Sequence, residues 1–428
     1  MRERPQHWLL PAGFLLWAIC VFWLWSPRNY WPDADGYLLH VAEGRWVAHP
    51  PGYALFVMTG RLFHAMGLPP YLAVQFASLS LTVAGLGVLY LLMRQLLDPL
   101  LAQAMTLATA FSWIVLLNVQ TGTSHASDLF TVSLLLLTAL RLPSIAQNKW
   151  ARDLSFAAAL FLCAGFRLTT LLLMLPLCLL VALHNYRRPS FWISCLVGII
   201  AIGLWQCWVI SESGGYAAYS AAAAAMNADN RPSSVLLSGL TQTALLNMIR
   251  ALLWAGVGTF AFLIVAASSW QWPVRTTVRH AFFYGLAASL GPLFGVTLYL
   301  CTHPGYVVSV IPGVALVAAS LASASRPSFP WRAFGASVIG VLCMFLFVKP
   351  FVSPATKWQA VANGILLQYS ATCARAATFN TTSRWLRLAG LESEIPSHRV
   401  IDLWQEDEWR EFFRRIDPER ASDGQHIR

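Results

Sequence analysis

Long apolar segments alternate with short polar ones through most of the 428-residue chain. A helix that crosses a bilayer needs about 20 mainly apolar residues. By this criterion the pattern predicts about eleven transmembrane helices. They lie at 8–25, 71–93, 100–117, 126–140, 154–166, 168–183, 191–210, 243–268, 281–301, 306–323 and 333–348. The predicted fold class is therefore an all-α polytopic membrane protein.

The pair 154–166 and 168–183 allows a second interpretation. Both segments are short, and only Arg167 separates them. They can form two helices or one long kinked helix, and the kinked helix would reduce the number of spans to ten. The first segment, 8–25, has a long apolar run with no small-residue cleavage pattern after it, which favours a membrane anchor over a signal peptide.

Three stretches are too polar or too irregular to cross a bilayer. The first loop, 26–70, is long and predicts short juxtamembrane helices around a Pro-rich break. The loop 211–242 is rich in Gly, Ser and Ala. The segment 351–428 is polar, and we interpret it as a small extramembrane tail that follows a transmembrane domain at 1–350.

Composition excludes several classes of protein. Hydrophobic residues make up 57% of the chain and charged residues 11%, against roughly 25% charged in a soluble domain. This excludes a cytosolic enzyme, a disordered protein and a nucleic-acid binder, although the net charge is +10.

The basic residues predict the orientation instead. Arg and Lys cluster in alternate short loops, and such loops face the cytoplasm. The N-terminus is then cytoplasmic, and the loops 26–70 and 211–242 and the tail lie outside. The excess of Arg over Lys favours a bacterial inner membrane, with the periplasm as the outer side.

The first outer loop carries two acids, Asp33 and Asp35, directly after the first span. Residues two apart on an extended segment can face one ligand. The pair can therefore hold a divalent cation such as Mg²⁺ or Mn²⁺ through oxygen ligands, or one carboxylate can act as a general base. Pro-Asp and Asp-Gly also form solvated turns, which leaves a purely structural role open.

Two further positions place charge close to the apolar segments. His125 and Asp128 are three residues apart, so both can face one side of the fourth span at its outer end. Asp128 can also belong to a helix cap with Ser124 or Ser127.

Arg167 is the sole charge in 154–183 and is predicted at the outer surface, where it can bind a lipid phosphate or extend to the headgroups. Arg250, in the eighth span, is a weaker candidate of the same kind.

Four sequence runs together resemble the GT-C superfamily of multi-pass glycosyltransferases. They are the run from Asp33 through HPPGYALFVMTGRLF, then SHASDLF, GFRLTTLLLMLPL and HPGYVVSVIP. The nearest branch is the one related to protein O-mannosyltransferases, with HPPGY in the first loop. Residues 1–350 would then form the catalytic domain.

The resemblance implies an inverting, mannosyltransferase-like enzyme. Such enzymes transfer a sugar from a polyprenyl-phosphate donor to a hydroxyl of a glycan, protein or lipid at the outer face. The implied catalytic residues are Asp33, Asp35 and Asp128. Together with Arg250, which its position in the eighth span nominates, the candidate substrate-binding residues are His49, Tyr53, His125, Arg167, His303 and Tyr306. Tyr37 stands near the position where the family branch often has Glu, and Ala54 follows HPPGY where the family has Pro.

Two functions from other classes stay open at this stage. A transporter or flippase of a lipid-linked substrate also needs many spans and few charges. Transporters, however, tend to show internal repeats and polar groups at the membrane midplane, and the acids here gather at one face. A non-catalytic membrane scaffold that presents the tail to a partner is the third interpretation.

Overall fold

The computed structural model describes residues 9–23, 37, 40–41, 53–119, 122–141, 149–299 and 304–324. All regular structure in these ranges is helical, which confirms the predicted all-α class. Several predictions lie outside the described residues, namely those for Asp33, Asp35, His49, His303, the span 333–348 and the tail 351–428.

Fifteen α-helices lie in the described ranges. In chain order they are α1 (Leu9–Trp23), α2 (Ala54–Ala65), α3 (Pro70–Met93), α4 (Pro99–Ala110), α5 (Trp113–Asn118), α6 (Ala126–Arg141), α7 (Lys149–Phe166), α8 (Leu168–Leu173), α9 (Leu175–His184), α10 (Pro189–Glu212), α11 (Gly215–Asn230), α12 (Val235–Ser238), α13 (Gln242–Ser268), α14 (Thr276–Phe294) and α15 (Ile311–Ala324). Shorter turns of 3-10 helix cover Arg231–Ser233 and Pro304–Ser309, and a π-helical turn covers Gly295–Tyr299.

Five helical segments are long and apolar enough to cross a membrane, judged by length and composition. They are Leu72–Met93, Pro189–Glu212, Gln242–Ser268, Thr276–Tyr299 and Pro304–Ala324. Each overlaps a span predicted from the sequence. The chain is therefore an integral membrane protein, while the total of eleven spans stays a prediction.

Some predicted elements differ from the structure. The span 100–117 is two helices, α4 and α5, and the hydroxyl of Ser112 at the break donates to the Gly258 carbonyl at 3.2 Å. The span 168–183 divides at Met174, where Pro176 in the first turn of α9 lacks the N–H that a continuous helix needs. The loop 211–242 is largely helical because its run of Ala has high helix propensity.

The packing of α7 against α10 decides between two passes and one kinked helix over 154–183. The ring of Phe156, in the middle of α7, lies 5.9 Å from that of Phe191, near the start of α10. Further along both helices, the rings of Phe161 and Trp205 also lie 5.9 Å apart. The two helices are therefore parallel, so α8 and α9 must return the chain to the end where α7 began. This excludes the single kinked helix.

A buried polar contact joins α7 and α10 at their N-terminal ends. The Asp153 carboxylate is 0% exposed, accepts a hydrogen bond from Ser190 Oγ at 2.6 Å and pairs with Arg188. Arg152 donates a further hydrogen bond to it at 3.3 Å. Both carboxylate oxygens of Asp153 thus accept hydrogen bonds from the protein, as burial of a charge requires.

Small residues allow α14 and α15 to cross closely. A Cβ atom at Gly285 would meet the Gly313 carbonyl oxygen at 2.8 Å, and one at Gly313 would meet the Gly285 carbonyl oxygen at 2.7 Å. Close helix crossings in membranes depend on such small residues. The 3-10 turn Pro304–Ser309 directly precedes α15. The contact between α14 and α15 therefore also positions this turn.

Substitution of Gly285 by Val should separate these two helices. Overpacking of a tight contact typically destabilises a protein by about 1–3 kcal/mol, and here the obstacle is backbone. Gly203→Val on α10 is the matched control, because nothing lies within 4 Å of a Cβ at Gly203. Thermal unfolding in detergent should show a lower midpoint for Gly285→Val only; equal midpoints would contradict the described crossing.

Candidate active site

Arg167 occupies the single-residue junction between α7 and α8. Its backbone is extended, with φ −154° and ψ 103°, and its N–H still donates to the Cys163 carbonyl at 2.9 Å. The helix restarts at once, because the Thr170 N–H donates to the Arg167 carbonyl at 3.1 Å. The side chain that leaves this junction is 1% exposed, so its charge is buried inside the protein.

The carboxylate of Asp128 neutralises this charge. Arg167 Nη1 donates to Asp128 Oδ2, and Thr170 Oγ1 donates to Asp128 Oδ1 at 2.7 Å. Asp128 lies in the first turn of α6 and is 0% exposed. A buried ion pair of this kind requires good geometry and further hydrogen bonds to offset desolvation, and Thr170 supplies one of them.

Aromatic rings surround the same guanidinium. Arg167 Cζ lies 4.8 Å from the centroid of the Tyr306 ring and 5.8 Å from that of Tyr53, within the range of cation–π attraction. The rings of His125 and Tyr306 meet edge to face at 4.5 Å. His125 Nδ1 lies 4.0 Å from Asp128 Oδ2, as the spacing of the two residues predicts. We call these six residues the Arg167 cluster: Tyr53, His125, Asp128, Arg167, Thr170 and Tyr306.

Tyr37 ties the first loop to this cluster. It is 2% exposed, and its hydroxyl shares a hydrogen bond of 3.0 Å with Ser124 Oγ, one residue before His125. Its ring packs edge to face on Tyr53 at 5.6 Å and on Phe56 at 5.0 Å. Tyr37 itself is thereby held against the starts of α2 and α6.

Hydrogen bonds also support the turn before α6 that carries His125. The Ser78 hydroxyl on α3 donates to the Thr123 carbonyl at 3.1 Å, and the Thr123 hydroxyl donates to Asn118 Oδ1 at 3.2 Å. Asn118 Nδ2 in turn donates to the Ile114 carbonyl at 2.8 Å. These contacts connect three helices at the turn, so His125 and Asp128 stand on a rigid support.

The structure brings together five residues that the sequence nominated: Tyr53, His125, Asp128, Arg167 and Tyr306. The carboxylate of Asp128 faces Arg167 and Thr170. The capping interpretation with Ser127 does not describe this arrangement, because the Ser127 hydroxyl donates to the Ser124 carbonyl at 2.6 Å. Arg250 Nη1 donates to Asn247 Oδ1 at 3.3 Å on its own helix, a contact that does not join it to the cluster.

Sequence reasoning missed Thr170 as a member of the cluster and named Tyr37 only as a departure from a family pattern. The available signal for Thr170 was its position one helical turn after Arg167 in an otherwise apolar run. The signal for Tyr37 was an aromatic residue with a hydroxyl close to the two loop acids.

One edge of the Arg167 guanidinium is a candidate for ligand binding. Within the described part of the chain, its Nε and Nη2 atoms are buried and have no hydrogen-bond partner. An unmade hydrogen bond to a buried donor is unfavourable, and more so when the donor is charged. The planar fork of Arg matches the oxygens of a phosphate or carboxylate in bidentate fashion, so this edge can receive an oxyanion.

A metal centre finds no support within the ranges that the structure describes. No group of three or more His, Cys, Asp and Glu side chains there is arranged to hold a metal ion. The predicted cation ligands Asp33 and Asp35 lie outside those ranges, so the cation stays a prediction.

The fold resembles that of a protein of known structure. Two crystal structures of ArnT from Cupriavidus metallidurans align over 98% of this chain and 74% of theirs, at 14% sequence identity. The TM-score is 0.53 for the structure bound to undecaprenyl phosphate and 0.52 for the apo structure. At this identity the likeness concerns the fold. No protein-family model matches the chain, and no curated protein matches it.

The buried ion pair makes a testable contribution to stability. Arg167→Met leaves the Asp128 carboxylate buried without its cation, and loss of one partner of such a pair typically destabilises a protein by about 3–5 kcal/mol. The double variant Asp128→Leu/Arg167→Met should recover most of this loss, because no unpaired charge remains. Unfolding of the single and double variants in detergent measures the coupling energy; additive effects would mean that the two side chains do not interact.

Proposed function

We propose that the protein is an inverting glycosyltransferase that moves a sugar from a polyprenyl-phosphate donor to a hydroxyl acceptor. The observation that carries the proposal is the buried Arg167 guanidinium, whose Nε and Nη2 lack partners among the described residues. An oxyanion bound there would sit among aromatic side chains in an apolar environment, which suits the phosphate of a lipid carrier. The fold supports the same class, since ArnT, a GT-C glycosyltransferase, has been crystallised with undecaprenyl phosphate.

In the proposed reaction Arg167 binds the phosphate of the donor. Asp33 or Asp35 removes the proton from the acceptor hydroxyl, and the oxygen attacks the anomeric carbon from the face opposite the phosphate. The bond between that carbon and the phosphate oxygen breaks, and the electron pair leaves with the lipid phosphate. Arg167 stabilises the charge that develops on this leaving group, an electrostatic contribution that is strongest away from water.

The connectivity of the chain supports a role for the loop acids. Only one residue, Gly36, separates Asp35 from Tyr37 in the sequence, so the two Cα atoms are at most about 7 Å apart. Tyr37 in turn packs on Tyr53 of the Arg167 cluster. We propose that the site lies at the periplasmic face of a bacterial inner membrane, as the distribution of Arg residues in the loops predicts. The proposed enzyme is mannosyltransferase-like, as the sequence resemblance implies, and its proposed acceptor is a hydroxyl of a glycan, protein or lipid.

A flippase or transporter of a lipid-linked substrate is the alternative. The interrupted helices α4–α5 and α8–α9 favour this alternative, since discontinuous helices are common at transporter binding sites. Purified protein in detergent, given synthetic polyprenyl-phosphate sugars and candidate acceptors, separates the two functions. Release of lipid phosphate with formation of a glycosylated product is expected for the transferase; lipid binding without release would favour the transporter.

The loop acids should be essential for turnover. Loss of a general base typically lowers the rate about 10²- to 10⁴-fold, so Asp33→Asn/Asp35→Asn should nearly abolish sugar transfer. Asp98→Asn is the control, because Asp98 caps α4 by accepting from the Leu100 and Leu101 N–H groups, a function that Asn also performs. A folded, fully active double variant would overturn the mechanism, and EDTA in the same assay tests the predicted cation.

Arg167 should determine affinity for the lipid phosphate. Arg167→Lys keeps the charge but loses the planar fork, so we expect affinity for undecaprenyl phosphate to fall about tenfold or more, on the scale of a lost charge-assisted hydrogen bond. Arg94→Lys is the control, since Arg94 Nη1 donates only locally, to the Leu97 carbonyl at 3.0 Å. Native mass spectrometry or lipid-induced thermal stabilisation measures the affinity. Unchanged binding by Arg167→Lys would remove Arg167 from the donor site.

A further inference from the structure

We infer that Asp128 and Thr170 are positioning residues for Arg167, and that Asp128 does not remove the acceptor proton. The inference rests on the proposed glycosyl transfer and assigns parts to two residues within it. The sequence placed Asp128 among the catalytic acids and did not nominate Thr170. The geometry points to a chain of hydrogen bonds in which Thr170 orients the Asp128 carboxylate and the carboxylate orients Arg167.

The first step concerns the access of an acceptor to Asp128. One carboxylate oxygen accepts from Thr170 Oγ1 at 2.7 Å, and the other accepts from Arg167 Nη1. A general base must come within hydrogen-bond distance of the proton that it removes, and here both oxygens are already engaged with the protein. Asp128 is therefore placed to hold Arg167 and not to receive a proton from an acceptor.

The second step concerns orientation. Thr170 lies one turn after Arg167 on α8 and is 1% exposed, so its hydroxyl restricts rotation of the Asp128 carboxylate. The carboxylate in turn fixes Nη1 of Arg167. Since the guanidinium is planar and rigid, fixing Nη1 also fixes the edge formed by Nε and Nη2. The direction from which an oxyanion can be bound is thus set by a residue that does not touch it.

The third step separates binding from turnover. The negative charge of Asp128 partly cancels the field of Arg167, so its removal does not weaken the attraction of Arg167 for a phosphate. Removal of the Asp128 carboxylate instead loses the fixed orientation of the Nε and Nη2 edge of Arg167. That orientation matters most when charge develops on the leaving group. A positioning role therefore predicts a fall in kcat with little change in donor KM.

The experiment compares Thr170→Val, Thr170→Ser and Asp128→Asn with Asp153→Asn as matched control. Asp153 has the same chemistry, a buried carboxylate held by an Arg and a hydroxyl, at the opposite end of α7. Each variant is measured for kcat and donor KM across pH, for undecaprenyl phosphate binding and for thermal unfolding in detergent.

Thr170→Val should lower kcat about tenfold, on the scale of one hydrogen bond to a charged group, with donor KM within about threefold. Thr170→Ser should restore kcat because the hydroxyl returns. Asp128→Asn should lower kcat about 10- to 100-fold, as misplacement of a catalytic contact does, and should keep both limbs of the pH profile. Asp153→Asn should change the unfolding midpoint and leave kcat near that of the wild type.

Three results would overturn the inference while the proposed function stands. They are loss of one limb of the pH profile in Asp128→Asn, failure of Thr170→Ser to exceed Thr170→Val, and an equal loss of kcat in Asp153→Asn. If Asp128→Asn does not fold, the two Thr170 variants decide the matter. Wild-type protein that neither binds undecaprenyl phosphate nor transfers any sugar overturns the proposed function itself, so the two failures are distinguishable.

Discussion

The buried pairing of Arg167 with Asp128 is the interaction on which the rest of the candidate site depends. A guanidinium that is 1% exposed cannot remain charged within an apolar protein unless an anion compensates it. That requirement brings the start of α6 to the junction of α7 and α8. The aromatic residues from α2 and from the turn before α15 then pack around the pair. The arrangement satisfies Nη1 and leaves a second edge of the same group without a protein partner in the described ranges.

Asp128 and Asp153, both buried, show how one chemical motif serves two purposes. Asp153 is held by Ser190, Arg152 and Arg188, and the Arg188 side chain is 25% exposed, so water reaches part of it. That contact fastens α7 to α10. Asp128 is held by Thr170 and by a cation that has almost no contact with solvent. The difference in hydration of the cation separates a structural contact from one suited to binding a ligand.

The sequence was sufficient for the fold class and for most of the cluster, for identifiable reasons. Runs of apolar residues predicted the long helices. Isolated charges near or within these runs, such as Arg167 and Asp128, indicated candidate site residues. The break at Phe111 was not predictable, because Ser112 makes its contact with Gly258, a residue 146 positions away. The parallel packing of α7 and α10 depends on contacts between side chains of both helices. The hydrophobic periodicity of either helix alone does not predict such contacts.

In the candidate site, too, contacts between residues far apart in the sequence were not predictable. Arg167 was visible as a lone charge, but Thr170 looked like an ordinary polar residue of an apolar helix, where such hydroxyls usually bond to their own backbone. Only the position of α6, fixed by contacts along α3, brings a carboxylate to that hydroxyl. Arg250 was nominated by the same reasoning as Arg167, and its hydrogen bond to Asn247 is local.

The spacing of the paired charges along the chain has a consequence for biosynthesis. Asp128 leaves the ribosome 39 residues ahead of Arg167, and Asp153 leaves it 35 residues ahead of Arg188. A carboxylate that is buried in an apolar environment without a partner is unfavourable. Helix α6 therefore gains a stable place in the bilayer only when α7 and the start of α8 have emerged beside it. The ion pair between α6 and the junction of α7 and α8 therefore forms only after both partners have been synthesised.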